Sequence, residues 1–154
     1  MARFKQGYFT PRHPEKYTGT LPVKYKSGLE ERCLNYFDMN DNVVRYCYEP
    51  FFIPYQKPIF ENNKIHFEER KYYVDFIVEI RQKNGELKKY IVEVKSKSET
   101  EVPKQPKKMT FKNRQRLMEE NKTFMVNKCK WETAATWARA HGAEFIHLTS
   151  DMIN

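Results

Sequence analysis

Cysteine pairs, ligand-spaced histidines and long apolar runs are all missing from this 154-residue chain, and each absence excludes something. The three cysteines, Cys33, Cys47 and Cys129, are an odd number, lie far apart and form no C-x-x-C pair. A zinc site therefore has no support, and reduced thiols are expected rather than a disulfide framework. The four histidines, His13, His66, His141 and His147, show no metal-ligand spacing. No run of about 18 apolar residues occurs, so no membrane span is expected. The opening MARFKQGYFTPRHPEK lacks the apolar segment of a signal peptide, and secretion is not expected. No internal repeat is present.

What is there is aromatic and basic. Ten Tyr and 11 Phe suggest a modest core filled by large side chains. The length suits one ordinary domain. The net charge is +8, unevenly spread: Lys95 to Lys130 hold eleven Lys or Arg against four Glu. Such asymmetry suits a polyanion, nucleic acid first. A solubilising surface or a tether is the bland alternative.

Along the chain, residues 1–26 carry Pro11, Pro14, Gly19 and Pro22 among basic and aromatic residues, and predict an extended arm partly packed by its aromatics. Residues 27–154 form the remaining domain. Ser27-Gly28-Leu29-Glu30 fits a capping box, with Ser27 as N-cap and Glu30 at N3. Leu29, Cys33, Leu34 and Phe37 continue it as a helical stripe, which Asp41-Asn42 ends. VVRYCYE (43–49) predicts a strand closed by Pro50, and FFIPY stays extended, with Pro54 favouring an edge. Residues 56–70 read as a polar connection, and residues 97–109 as a mobile loop. A short basic helix is expected over 111–122, a second helix over 127–141 with Gly142 after its end, and a last strand in EFIHLTS. This order of elements predicts an α/β fold with a small mixed sheet flanked by helices.

Residues 74–97, VDFIVEIRQKNGELKKYIVEVKSK, pose the chemical question. Two apolar runs flank Asn84-Gly85, a hairpin signal. Val74, Phe76, Val78 and Ile80 share one face of the first run, and Tyr90, Val92 and Val94 one face of the second. Matching these faces needs even-numbered residues opposite even-numbered ones. A two-residue Asn-Gly loop would pair even with odd and turn one apolar set outward, at roughly 1.5–3 kcal/mol per side chain. A three-residue loop or a bulge is therefore expected. Asp75 then lies opposite, or nearly opposite, Glu93, with Lys95 two positions along on the same face. Two carboxylates that close repel unless a cation sits between them, so the hairpin reads as a metal site beside a lysine.

Asp75 followed by Glu93-Val94-Lys95 resembles the D…(D/E)-x-K signature of the PD-(D/E)xK nuclease superfamily, with Val74 at the position that the name gives to proline. Over nearly the whole chain, FKQGYFTPRHPEKY, YKSGLEERCLNYFD, YEPFFIPY, YYVDFIVE…YIVEVKSK and KCKWETAATWARAHGAEFIHLT resemble the head-completion endonucleases of tailed bacteriophages. The catalytic core alone also resembles the endonuclease subunit of heteromeric transposases. The resemblance implies a restriction-endonuclease-like core and a Mg²⁺-dependent DNA endonuclease, with Mn²⁺ able to substitute. It implies action on double-stranded DNA or the ends left after packaging, with phage head or packaging proteins as partners. The expected place is the cytoplasm of an infected bacterium, or the virion. A non-catalytic nucleic-acid-binding or virion structural protein on the same fold is the alternative.

Under that resemblance Asp75 and Glu93 hold the ion, the backbone C=O of Val94 adds a ligand, and Lys95 positions water and stabilises developing charge. Glu30 is a further carboxylate candidate, because the superfamily often carries a glutamate on its first helix; its capping-box role is the competing reading. Glu31 is expected to point to solvent. Glu49 either joins the site or bonds an arginine or a backbone N–H. Lys112, Arg114, Arg116, Lys128 and Lys130 are candidate phosphate contacts, each of them otherwise an ordinary solvated side chain. Trp131 and Trp137 are expected in the core rather than as base-stacking platforms.

Overall fold

The central hairpin forms in the register that its alternation requires. A computed structural model describes residues 6–153 of the chain. Strand β6 (Phe76–Arg81) pairs antiparallel with β7 (Leu87–Lys95), Phe76 opposite Val92 and Val78 opposite Tyr90, so even meets even. The loop holds three residues, Lys83-Asn84-Gly85. It is closed by the Gln82 N–H donating to the Glu86 carbonyl at 2.7 Å and the Gly85 N–H to the Gln82 carbonyl at 2.9 Å. Gly85 takes φ +86°, which an L side chain would resist.

This hairpin is the middle of a four-stranded sheet in the order β3-β6-β7-β8. Strand β3 (Val43–Tyr48) adds antiparallel to β6, and β8 (Ala143–Thr149) adds parallel to β7. A parallel neighbour needs a crossover, and helix α2 (Phe111–Ala140) supplies it. Helix α1 (Gly28–Met39) covers one sheet face, where Cys33, Leu34 and Phe37 pack with Phe76, Val78 and Val92. Ala134 and Ala138 of α2 pack on the other face against Ile91 and the half-buried Ile77. The fold is mixed α/β, a sheet between helices, as the sequence predicted.

Residues 7–25 do more than trail as an arm. Strands β1 (Gly7–Phe9) and β2 (Val23–Tyr25) pair antiparallel, and Phe9, Val23 and Tyr25 are buried in the α1-side core. Residues 1–5 of the expected arm lie outside the described residues. Lys16 donates to the carbonyls of Phe37, Asp38 and Asn40 at 2.8–2.9 Å and so caps the C-terminus of α1, where a cation is favoured. The helix stops at Met39 with Asn40 as C-cap, just before the expected Asp41-Asn42. Asp38 is buried and accepts from the Arg12 and His13 N–H groups and, at 2.9 Å, from the Tyr46 hydroxyl.

Two expected element boundaries fail. Residues 56–70 are no polar connection. They belong to a ten-pair hairpin of β4 (Phe52–Glu61) and β5 (Lys64–Tyr73), turned by Asn62 and Asn63 at φ +49° and +58°. Two positive φ values in a two-residue loop match the right-handed twist of paired strands, and asparagine tolerates them. The second failure is the expected break between two late helices. Helix α2 runs unbroken for 30 residues, about 45 Å. Thr110 caps it, accepting from the Asn113 N–H at 3.1 Å. Its first half lacks a wide apolar stripe because only the second half meets the sheet. Trp131 is buried there, and Trp137 is half-buried against Phe51 and His141.

Asp38 tests how the N-terminal segment is held. Asp38→Ala leaves two backbone N–H groups and a buried phenol without their acceptor, and is expected to cost about 2–4 kcal/mol in urea denaturation. A loss below about 0.5 kcal/mol would contradict this anchoring.

Candidate active site

The backbone turns a corner at Asp75, and that corner builds the site. The β3–β6 pairing passes directly into the β4–β5 hairpin. The Glu49 N–H donates to the Asp75 carbonyl at 2.8 Å, and the Val74 N–H to the Phe51 carbonyl at 3.2 Å. Glu49 sits at φ +46° to make the turn. Val74 packs in the α2-side core and Phe76 in the α1-side core, so Val74 does not share the face of Phe76 as the alternation predicted, and the chain crosses the sheet plane between them. Asp75 lies on that crossing, opposite Glu93 by continuation of the ladder.

The two carboxylates do meet. Asp75 is half-buried, and its Oδ2 accepts from the Val94 N–H at 2.8 Å. Glu93 is 6% exposed. Its Oε2 accepts from the buried hydroxyl of Tyr72, and its Oε1 lies 3.7 Å from Lys95 Nζ. Lys95 is shared, since Glu99 Oε2 also stands 3.7 Å away. Burial and then the charge of Glu93 push the Asp75 carboxyl up to about 8, against the pull of the Val94 N–H. Burial, followed by the same carboxylate, pushes the Tyr72 phenol well above its ordinary range, so it remains a donor.

Of the other expected residues, Glu30 approaches Asp75 closely enough to raise it further. Its N–H donates to Ser27 Oγ at 3.2 Å, as a capping box requires. Its carboxylate, however, accepts from the Lys26 N–H at 3.0 Å, one residue earlier than the expected Ser27 N–H. Capping therefore occupies one oxygen of Glu30 without turning the side chain from the site. Glu31 is half-buried rather than turned to solvent. Glu49 pairs with Lys26 Nζ at 2.9 Å, not with an arginine. Lys112 and Arg114 are exposed on the first half of α2. Arg116 and Lys128 are exposed too, facing Glu120 at 3.8 Å and Glu132 at 4.0 Å.

Lys130 differs from that group. It is half-buried on α2, near enough to Glu93 and Asp75 for their charges to act on it. Burial lowers its pKa, the charge of Glu93 opposing. Tyr72 and His147 were missed. Tyr72 falls on the alternation Tyr72, Val74 just before Asp75, the one available signal. His147 pairs with Glu93 across the β7–β8 ladder; burial lowers its imidazole pKa, and its Nε2 is buried without a hydrogen bond.

A divalent cation fits this donor set. Buried carboxylates that repel one another are an incomplete arrangement, and a cation relieves it. The N–H and C=O of an extended residue lie on the same strand edge, so the Val94 carbonyl belongs to the edge that carries Asp75. Among the described residues no cluster of three or more His, Cys, Asp or Glu side chains is arranged to hold a metal. Two carboxylates and a backbone carbonyl are a donor set of the kind that Mg²⁺, an ion that keeps several waters, accepts.

The model of the TnsA-like endonuclease N-terminal family matches residues 40–150, a span that includes Asp75, Glu93 and Lys95. The head completion nuclease of Enterobacteria phage T4 is 30% identical over 146 residues, covering 94% of this chain and 91% of that protein.

The raised Asp75 sets a pH test. In the folded, chelator-treated protein Asp75 holds its proton up to about 8, while unfolded it ionises near 3.8. Stability is therefore lost as pH rises across that interval. Asp75→Asn is expected to melt at least about 3 °C above wild type at pH 8 in EDTA, with a smaller gap at pH 5. Parallel melting curves for the two proteins across this range would contradict the assignment.

Proposed function

This chain belongs to the TnsA-like endonuclease family, and from that premise we propose that it is a metal-dependent DNA endonuclease of phage head completion. One observation carries the metal-dependent reading: Asp75 and Glu93 are opposed at a backbone corner, with Lys95 at their rim. When bound, Mg²⁺ supplies Lewis acidity to a phosphoryl oxygen and lowers the pKa of its water. Mn²⁺ is expected to substitute. Asp75, Glu93 and the Val94 carbonyl hold the ion. Tyr72 anchors Glu93 through Oε2 and leaves Oε1 facing Lys95. Lys95 orients the attacking water and stabilises charge on the phosphorane-like transition state. Glu30 adds negative charge beside Asp75 and tightens the ion's hold. The substrate is duplex DNA or its ends, and head or packaging proteins are its partners in the infected cell or the virion.

A non-catalytic DNA-binding protein would draw support from the small donor set. Mg²⁺ sites, however, commonly use only one or two carboxylates, and here both are present with the lysine beside them.

Asp75→Ala, Glu93→Ala and Lys95→Ala are each expected to lower Mg²⁺-dependent plasmid cleavage by about 100-fold or more while keeping the native circular dichroism spectrum. Glu30→Gln retains an acceptor for the Lys26 N–H, so its melting temperature should stay within a few degrees of wild type. Its cleavage should fall about tenfold, or roughly 1.4 kcal/mol. Wild-type cleavage by the three alanine variants would remove the site from Asp75.

A further inference from the structure

The second half of the β4–β5 hairpin stands beside α2 and leaves an open groove between them. The groove has a volume of about 470 Å³, and Lys57, Phe60, Lys122 and Lys130 are among its lining residues. Lys122 and Lys130 are eight residues apart on α2, about 12 Å along its axis. Each ammonium stands over an aromatic ring of β4: Lys122 Nζ is 5.8 Å from the centre of Phe60, and Lys130 Nζ is 5.7 Å from that of Tyr55. Lys57 comes from the opposite wall, close enough for its charge to act on Lys130. Among the described residues neither Lys57 nor Lys130 forms an ion pair, whereas Lys122 faces Glu119, also a groove residue, at 3.4 Å. At one end the groove reaches Lys130, near enough to Glu93 and Asp75 for their charges to act on it.

Like charges held together from two walls are a cost that an anion removes. The carboxylate corner needs a cation, the adjoining groove needs an anion, and a phosphodiester with its metal supplies both. We propose that the groove between β4 and α2 is a phosphate-binding track, in which Lys57, Lys122 and Lys130 hold the backbone of one DNA strand and lead it to Asp75 and Glu93. The ligand is the phosphodiester backbone, read without base contacts. The long hairpin, whose turn end forms no part of either core, is then the wall that sets Lys57 across from Lys122 and Lys130. The expected cluster at Lys112, Arg114, Arg116 and Lys128 lies elsewhere on α2, and the track adds Lys57 and Lys122, which sequence reasoning did not select.

This inference rests on the DNA-endonuclease reading, and the test separates the two. Lys57→Gln/Lys122→Gln retains most of each side chain's length and leaves Lys130 and the carboxylates intact. Binding of a 30-nucleotide oligonucleotide, single-stranded or as duplex, is measured in Ca²⁺ between 50 and 200 mM salt, alongside plasmid cleavage in Mg²⁺. The double variant should lower the log–log salt slope by about 1.4–1.8, or about 0.7–0.9 per lysine removed. The loss should be similar on both probes, because one strand's backbone is held. Cleavage should weaken at sub-saturating DNA and recover at saturation. A wild-type protein that binds and cleaves beside a double variant with an unchanged slope overturns the track alone. A loss confined to duplex overturns the one-strand form. A wild-type protein that neither binds nor cleaves overturns the endonuclease reading and the track with it.

Discussion

Repulsion between Asp75 and Glu93 is the constraint around which the rest is arranged. The hairpin register places the two carboxylates opposite each other, and the apolar faces of β6 and β7 permit no other pairing without exposing a row of buried side chains. The surroundings then act to keep both acids in place. Tyr72 donates to Glu93, the Val94 N–H donates to Asp75, and Lys95 stands 3.7 Å from Glu93. None of these neutralises both. An arrangement that keeps costly proximity in a partly buried place stores a demand for a cation, and such perturbed groups cluster where chemistry is done.

The corner serves geometry as well as charge. Because the chain crosses from the α2-side core at Val74 to the α1-side core at Phe76, Asp75 is fixed by hydrophobic packing before and after it. Its carbonyl is tied to Glu49 and its carboxylate to Val94, so main chain and side chain are both held. The same corner launches the β4–β5 hairpin, and α2, as the crossover to β8, returns alongside it. The acidic corner and the basic groove are thus products of one topological choice. They adjoin because the β4–β5 hairpin leaves and re-enters the sheet at the end where β7 runs out toward α2.

Much of this was legible in the sequence. Alternation with a period of two, checked against loop length, was enough to bring Asp75 to Glu93 and to require a three-residue loop or a bulge, of which the structure has the loop. Ser27, Cys33, Leu34 and Phe37 marked α1 by cap and stripe. The hairpin of 52–73 was not legible because much of it is exposed, as Ile65, Phe67 and Tyr73 are, and its polar stretch showed no clean alternation. Its signal was the Asn62-Asn63 pair, weaker than an Asn-Gly. The continuity of α2 was hidden because its first half has no sheet to bury against and so carries no wide apolar stripe. Tyr72, His147 and the inward place of Lys130 depend on which strand meets which, and that pairing is not written in local pattern. Glu30 looked like a choice between cap and site; its carboxylate accepts from Lys26 rather than Ser27 through Oε1, so the cap does not rule out the site.

Whether the Asp75–Glu93 corner receives the catalytic ion is tested most directly by a Mn²⁺-soaked crystal. Anomalous scattering should show a peak bridged by Asp75 and Glu93, with the Val94 carbonyl in its coordination shell and ligand distances of about 2.0–2.3 Å. A crystal of cleavage-competent protein whose only manganese peak lies away from both carboxylates would contradict it.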